Sequence, residues 1–191
     1  MRVTVGDRFP QEDGCYMRFH FFYKMVCDCN APRYTCGVRS LSIVYASTSG
    51  HTEYVVSTLS ALLRTLVPGF SVSLRRAEQA QPEDVVRGDA LILASGTWNT
   101  GGSEGQLNMH MHALLMKRAT DVDLAGKPCA VIGLGDARYR YTCRATAHLM
   151  QYVLQHGGKN CCSPLAIVNE PFGQEDKVRK WGEKFAASLQ A

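Results

Sequence analysis

The chain has 191 residues, 46% of them hydrophobic, and a formal charge of +4, which suits one domain with an ordinary buried core. The charge is small and dispersed, with no basic run, and this excludes a nucleic-acid binder of the electrostatic kind. No apolar stretch approaches the roughly 20 residues of a membrane-spanning helix; the fullest N-terminal run, Phe19 to Val26, is interrupted by His20 and Lys24, so a soluble, cytoplasmic protein is expected.

Residues 1–40 show no sustained period, scattered aromatics and mixed charges. They read either as a flexible N-terminal extension or as upstream sequence translated from a misassigned start, ahead of a domain at 41–191. Cys27, Cys29 and Cys36 form a loose C-x-C-x6-C group; holding a metal would need a fourth ligand, and the spacing favours unrelated thiols, so no metal is expected. All eight cysteines read as reduced, because neither a signal peptide nor a disulfide-framework spacing accompanies them.

From Leu41 the pattern becomes regular. Apolar runs at Leu41–Ala46, Ala90–Ser95 and Cys129–Leu134 are short and continuous, as central parallel strands covered on both faces require. Phe70–Arg75 and Pro164–Val168 are weaker and suit sheet edges, and Cys161 and Cys162, just ahead of the latter, are expected on opposite faces. Amphipathic stretches near Thr52–Leu66, Glu104–Lys117, Cys143–His156 and Glu175–Leu189, with a shorter one at Pro82–Val86, alternate with these strands. Such alternation gives an α/β domain, a parallel sheet with helices on both faces.

Ligands of such sheets sit beyond the carboxyl ends of the strands, where three loops are expected. Ser47-Thr48-Ser49-Gly50-His51-Thr52 gathers hydroxyls, backbone N–H groups and a helix N-terminus, which suits either a helix cap or a bound phosphate. It contains no Lys or Arg, unlike loops that assist phosphoryl transfer. Gly96 to Ser103 places Trp98 between Thr97 and Asn99 in a polar turn, and Gly133 to Cys143 carries Tyr139. A phosphate loop with two aromatic loops at one sheet edge is a site for a flat, singly phosphorylated ligand.

These residues resemble flavodoxin. Ser47 to Glu53 looks like that family's FMN phosphate loop, Thr97-Trp98-Asn99 like its first flavin-stacking loop, and the Gly133 to Cys143 stretch, with Gly-Leu-Gly-Asp, Tyr139 and Cys143, like its second. The resemblance implies a doubly wound five-stranded sheet of order 2-1-3-4-5, of the short-chain type. It also implies a monomeric, low-potential one-electron carrier that holds FMN non-covalently and serves redox partner proteins, a reductase donor and an oxidoreductase acceptor. Ser47, Thr48, Ser49, Gly50, His51 and Thr52 would hold the phosphate dianion, with Thr97 and Tyr141 in the flanking loops. Trp98 would cover the inner flavin face and Tyr139 the outer. Backbone groups of Gly135, Asp136 and Cys143 would bond the pyrimidine end, and the Asn99 carbonyl would accept from flavin N5 once an electron is added. Aromatic cover on both faces blocks the stacking that hydride transfer needs, which sets the alternative, an FMN-dependent NAD(P)H:quinone oxidoreductase, in second place.

Two departures from the family stand out. From residue 41 the chain has 15 Lys plus Arg against 13 Asp plus Glu, whereas flavodoxins are commonly strongly acidic. Arg138, Arg140 and Arg144 bracket the outer loop, either as solvated surface residues or as charges that ease the second reduction or meet an acidic partner. Asn99 stands where short-chain members commonly carry glycine, the residue most tolerant of a flipped peptide. An Asn99→Gly variant is therefore expected to separate the two one-electron potentials further. An unchanged separation in a redox titration would remove Asn99 from that role.

Overall fold

Odd and even residues of the central strands serve different helices, and this alternation builds the three layers. The structure, a computed structural model, describes residues 39–190. β1 (Arg39–Ala46) runs parallel to β2 (Phe70–Arg76) on one side and to β3 (Ala90–Trp98) on the other, with Ile43 opposite both Leu74 and Ile92. The end of β3 pairs antiparallel with a two-residue strand, β4 (Gln106–Leu107). β5 (Pro128–Gly135) follows β3 in the sheet, and two short pieces, β6 (Lys159–Asn160) and β7 (Leu165–Val168), both run parallel to β5. The order β2-β1-β3-β5-β6, with β7 also on β5, is the expected 2-1-3-4-5 with its fifth strand broken in two and a small hairpin added.

On one face Leu41, Ile43, Ile92 and Ile132 pack against α1 (His51–Leu66) and α5 (Glu175–Gln190) through Val56, Leu59, Leu63 and Phe185. On the other, Val44, Leu91, Leu93 and Val131 meet α2 (Pro82–Val86), α3 (Met109–Ala113) and α4 (Ala145–Gln155) through Val85, Met111, Leu149 and Tyr152. Gly182 lets α5 lie close on α1, since a Cβ there would come within 2.9 Å of the Leu59 and Leu62 methyls.

Three local expectations are corrected. The helix expected over Glu104–Lys117 starts only at Met109: Gly105 has φ 80°, Gln106 and Leu107 are taken by the ladder to β3, and the Asn108 side chain caps the helix by accepting from His110 N at 3.0 Å. α3 then widens into a π-helical turn at Leu114–Arg118. The helix expected from Cys143 starts at Ala145, because Cys143 has φ 54° and lies outside any right-handed turn. Cys161 and Cys162 do not split between core and surface; in the break between β6 and β7 both are half-buried against the α1–α5 side of the core. Cys27, Cys29 and Cys36 lie outside the described residues. Among the described residues no helix is long and apolar enough to cross a membrane, and no group of three metal-ligating side chains occurs.

Tyr152 is buried, burial pushes its phenol well above the ordinary value, and the hydroxyl donates to the Ala119 carbonyl at 2.6 Å. Tyr152→Phe strands that carbonyl and is expected to cost about 1–3 kcal/mol in chemical denaturation. A loss below roughly 0.5 kcal/mol would show that the carbonyl finds another partner.

Candidate functional site

Four loops meet at the carboxyl edge of the sheet, one more than expected. In the first, Gly50 (φ 86°) turns the chain into α1 and has no side chain to cap it. Ser47 Oγ accepts from Glu53 N at 3.3 Å, so part of the hydroxyl loop does serve as a helix cap. The opening turn of α1 otherwise has no side-chain cap from its N-cap residue, leaving N–H groups and the positive end of the helix dipole at the loop. Thr48 Oγ1 accepts from Asn108 Nδ2 at 2.8 Å, Ser49 is exposed and Thr52 is buried. His51 Nε2 lies 3.1 Å from Glu170 Oε2.

The second loop is pinned at both sides. Thr97 Oγ1 accepts from Ala145 N at 3.1 Å, and Thr100 Oγ1 donates to Leu107 O at 2.6 Å. A Cβ on Gly96 would lie 2.8 Å from Trp98 Nε1, so glycine leaves the room that the indole occupies, while Trp98 as a whole stays 43% exposed. Asn99 has φ −98°, and its carbonyl accepts from Gly102 N at 3.3 Å; the left-handed residues here are Gly101 and Gly102.

The third loop folds back onto the end of β5. A Cβ on Gly135 would stand 2.2 Å from Cys143 N, so only glycine admits this crossing. Cys143 is buried, its thiol donates to Ile167 O at 3.2 Å, and burial raises its pKa, which leaves it without reactive-thiolate character. Within the loop the Arg138 side chain grips Asp136 at 2.5–3.0 Å and holds its pKa down to about 2, so the carboxylate stays charged at any physiological pH. Arg140 and Arg144 place their guanidinium groups 5.4 and 4.6 Å from the centre of the Tyr141 ring, and Tyr141 N donates to Glu104 at 3.3 Å. Tyr139 is 54% exposed.

The fourth loop follows β7. Asn169 adopts φ 65°, a conformation Asn tolerates better than most residues, and it clamps the third loop: its N–H bonds Gly135 O at 2.7 Å and its Oδ1 accepts from Ala137 N at 2.9 Å. Phe172 in the same loop is exposed and lies 4.7 Å from the Tyr54 ring.

The loops enclose a cavity of about 890 Å³, within the range of small-molecule sites. Thr48, Ser49, His51 and Thr52 line one end. Thr97, Trp98 and Asn99 form one wall, and Gly135, Asp136, Tyr139 and Tyr141 the other. Ser47, Gly50 and Cys143 shape the loops without lining the cavity. Asn169, Glu170, Glu104 and Thr142 line it too, and sequence reasoning missed them. The polar Asn-Glu-Pro turn directly after an apolar run was the available signal for the first two.

The family model for flavodoxin matches residues 43–181. The chain belongs to the flavodoxin family. It is 26% identical over 151 residues to a probable flavodoxin 2 of Bacillus subtilis, covering 75% of this chain and 92% of the relative. It is also 26% identical over 149 residues to a flavodoxin of Nitratidesulfovibrio vulgaris, covering 77% and 97%. The solved structure of oxidised flavodoxin 2 from Bacillus cereus superposes with a TM-score of 0.68 at 28% identity, over 78% of this chain and 98% of that one. Flavodoxins bind FMN and transfer electrons without being enzymes, which sets aside the quinone oxidoreductase alternative.

The cavity fits that cofactor on its own chemistry. A helix start with free donors lies at one end and exposed rings on separate loops at the other. Among the described residues Thr142 Oγ1, buried at the wall, has no hydrogen-bond partner, and a polar ligand edge would satisfy it. Gly135→Ala must push the third loop off β5. The expected cost is about 1–3 kcal/mol, read as a lower denaturation midpoint together with weaker flavin retention. Unchanged values for both would contradict the close crossing.

Proposed function

We propose that the chain is a cytoplasmic, low-potential one-electron carrier. It holds FMN non-covalently at the four-loop cavity and passes single electrons between redox partner proteins. The observation that carries this reading is the pair Trp98 and Tyr139, both exposed and both lining one cavity from different loops. Large aromatic surface left in water beside a helix start that is only partly capped suits a planar, anionic ligand that would cover it.

In this reading Thr48, Ser49 and Thr52 bind the phosphate together with the first N–H groups of α1, with Ser47 and Gly50 fixing the turn. Trp98 and Tyr139 stack on the two ring faces and exclude water and nicotinamide from them. Gly135, Asp136 and the Cys143 N–H shape the backbone edge for the pyrimidine end, Thr142 supplies a hydroxyl there, and the Asn99 carbonyl would have to turn away from Gly102 N to reach the ring. When bound, FMN supplies the redox chemistry; the chain orients it and sets its surroundings.

The arginines do not give the rim a net positive charge. Arg138, Arg140 and Arg144 stand against Asp136, Glu104 and Glu170 around the same cavity, and Arg138 is already paired with Asp136. This favours the solvated-surface reading of the three arginines over an electrostatic easing of the second reduction.

Replacing Trp98 or Tyr139 by Ala removes one stacked face. Each is expected to weaken FMN binding roughly tenfold, from about 0.5–1.5 kcal/mol of stacking in addition to lost area, read by flavin fluorescence titration. The wild-type protein mixed with NAD(P)H and a quinone, without added reductase, is expected to turn over negligibly. Undiminished FMN affinity in both variants, or rapid turnover, would overturn the assignment.

A further inference from the structure

We propose that the groove between the edge strand β7 and helix α5 docks an extended acidic segment of a partner protein. That segment adds to β7 as a further strand and lays its carboxylates against Lys177, Lys180 and Lys184. This proposal is independent of how FMN is held.

The groove is a second cavity, of about 710 Å³, bounded by the β6–β7 break and β7 on one side and by Lys177, Lys180, Trp181 and Lys184 on the other. Among the described residues β7 pairs only with β5. Asn169 N bonds Gly135 O, and in a parallel ladder alternate residues turn their backbone groups the same way. Leu165 and Ile167 therefore face β5, whereas Ala166 and Val168 turn N–H and C=O outward. Val168 O is taken by Gln174 Nε2 at 2.8 Å, which among the described residues leaves the outward groups of Ala166 as the open template of this edge. Trp181 Nε1 donates to Ser163 O at 2.7 Å and ties the strand break to the helix, so the groove is held open by a fixed wall.

The charge selects the occupant. Lys177, Lys180 and Lys184 follow the i, i+3, i+7 spacing of one helix face. The acids of the same helix are committed elsewhere. Arg179 binds Asp176 at 3.4 Å and Glu183 at 2.7 Å, and Glu175 accepts from the Tyr54 hydroxyl. Asp176 also lines the groove, but as part of that pair. Among the described residues the three lysines make no ion pair. They span roughly 10 Å along the helix at about 1.5 Å per residue, and side chains on alternate residues of an extended strand recur every 6–7 Å or so, so acids two apart reach neighbouring lysines. A second copy of the chain would bring lysines against lysines and is disfavoured. An acidic strand gains both main-chain bonds and charge complementarity.

Titration of the full chain with a short fluorescein-labelled peptide of alternating glutamate and valine, beside a lysine–valine control, tests the proposal by fluorescence anisotropy. The acidic peptide is expected to bind, with affinity falling as salt rises, and the control is not. The triple variant K177E/K180E/K184E and the variant Ala166→Pro, which removes the outward N–H donor, should each weaken binding at least about tenfold. In the wild type, hydrogen exchange should slow at Ala166 when the peptide is present. Equal binding of both peptides, retention of affinity by either variant, or no change in exchange at Ala166 overturns the proposal. All outcomes should be the same with and without FMN, so failure of the flavin reading would leave this result standing.

Discussion

The site depends on one close approach: the backbone of Cys143 crosses the end of β5 where residue 135 has no side chain. That crossing directs the chain from Asp136 to Thr142 outward as a loop and brings it back in time for α4 to begin at Ala145. Asn169 then holds the loop from the neighbouring strand through Gly135 O and Ala137 N. Tyr139 and Tyr141 are thus carried on a loop that is fixed at both ends and exposed in the middle. The opposite wall is built similarly, with Trp98 seated over Gly96 and strapped by the β4 hairpin. Rigid supports with exposed aromatic tips suit a carrier, because little has to reorganise when an electron arrives.

Charge around the cavity is locally balanced, which suits the proposed placement of an anion at one end and a ring at the other. The end at the start of α1, proposed for the phosphate, offers hydroxyls and a helix dipole, whose field fades within the first turn. At the aromatic end each arginine has local company, Asp136 for Arg138 and the Tyr141 ring for Arg140 and Arg144. Three lysines without an ion pair among the described residues, Lys177, Lys180 and Lys184, lie on α5, next to the strand that leads directly into Asn169 and Glu170. A partner seated there would sit beside the cofactor cavity without covering it.

The sequence made the layers legible because buried parallel strands leave continuous apolar runs, and three of the four loops were found because each interrupts such a run with Gly, Ser or an aromatic. What it hid were features set by distant partners. The β4 hairpin competes with helix for Gln106 and Leu107 only because the tail of β3 is there to pair with them. The positive φ of Cys143 follows from the crossing at Gly135, and no local propensity favours it. Asn169 reads as an ordinary turn residue until its two bonds to the third loop are seen. The two readings of the arginines stayed open in the sequence because Glu104 and Glu170, which offset them, come from other loops, while the Asp136–Arg138 pair depends on the turn between them.

The most direct test of the site compares FMN with riboflavin on the purified full chain by fluorescence quenching. Charge-assisted hydrogen bonds to the phosphate are worth about 1.5–3 kcal/mol each, so FMN should bind with one-to-one stoichiometry and at least roughly tenfold more tightly. Equal affinity for the two flavins, or failure to bind either, would contradict the phosphate role of the loop from Ser47 to Thr52.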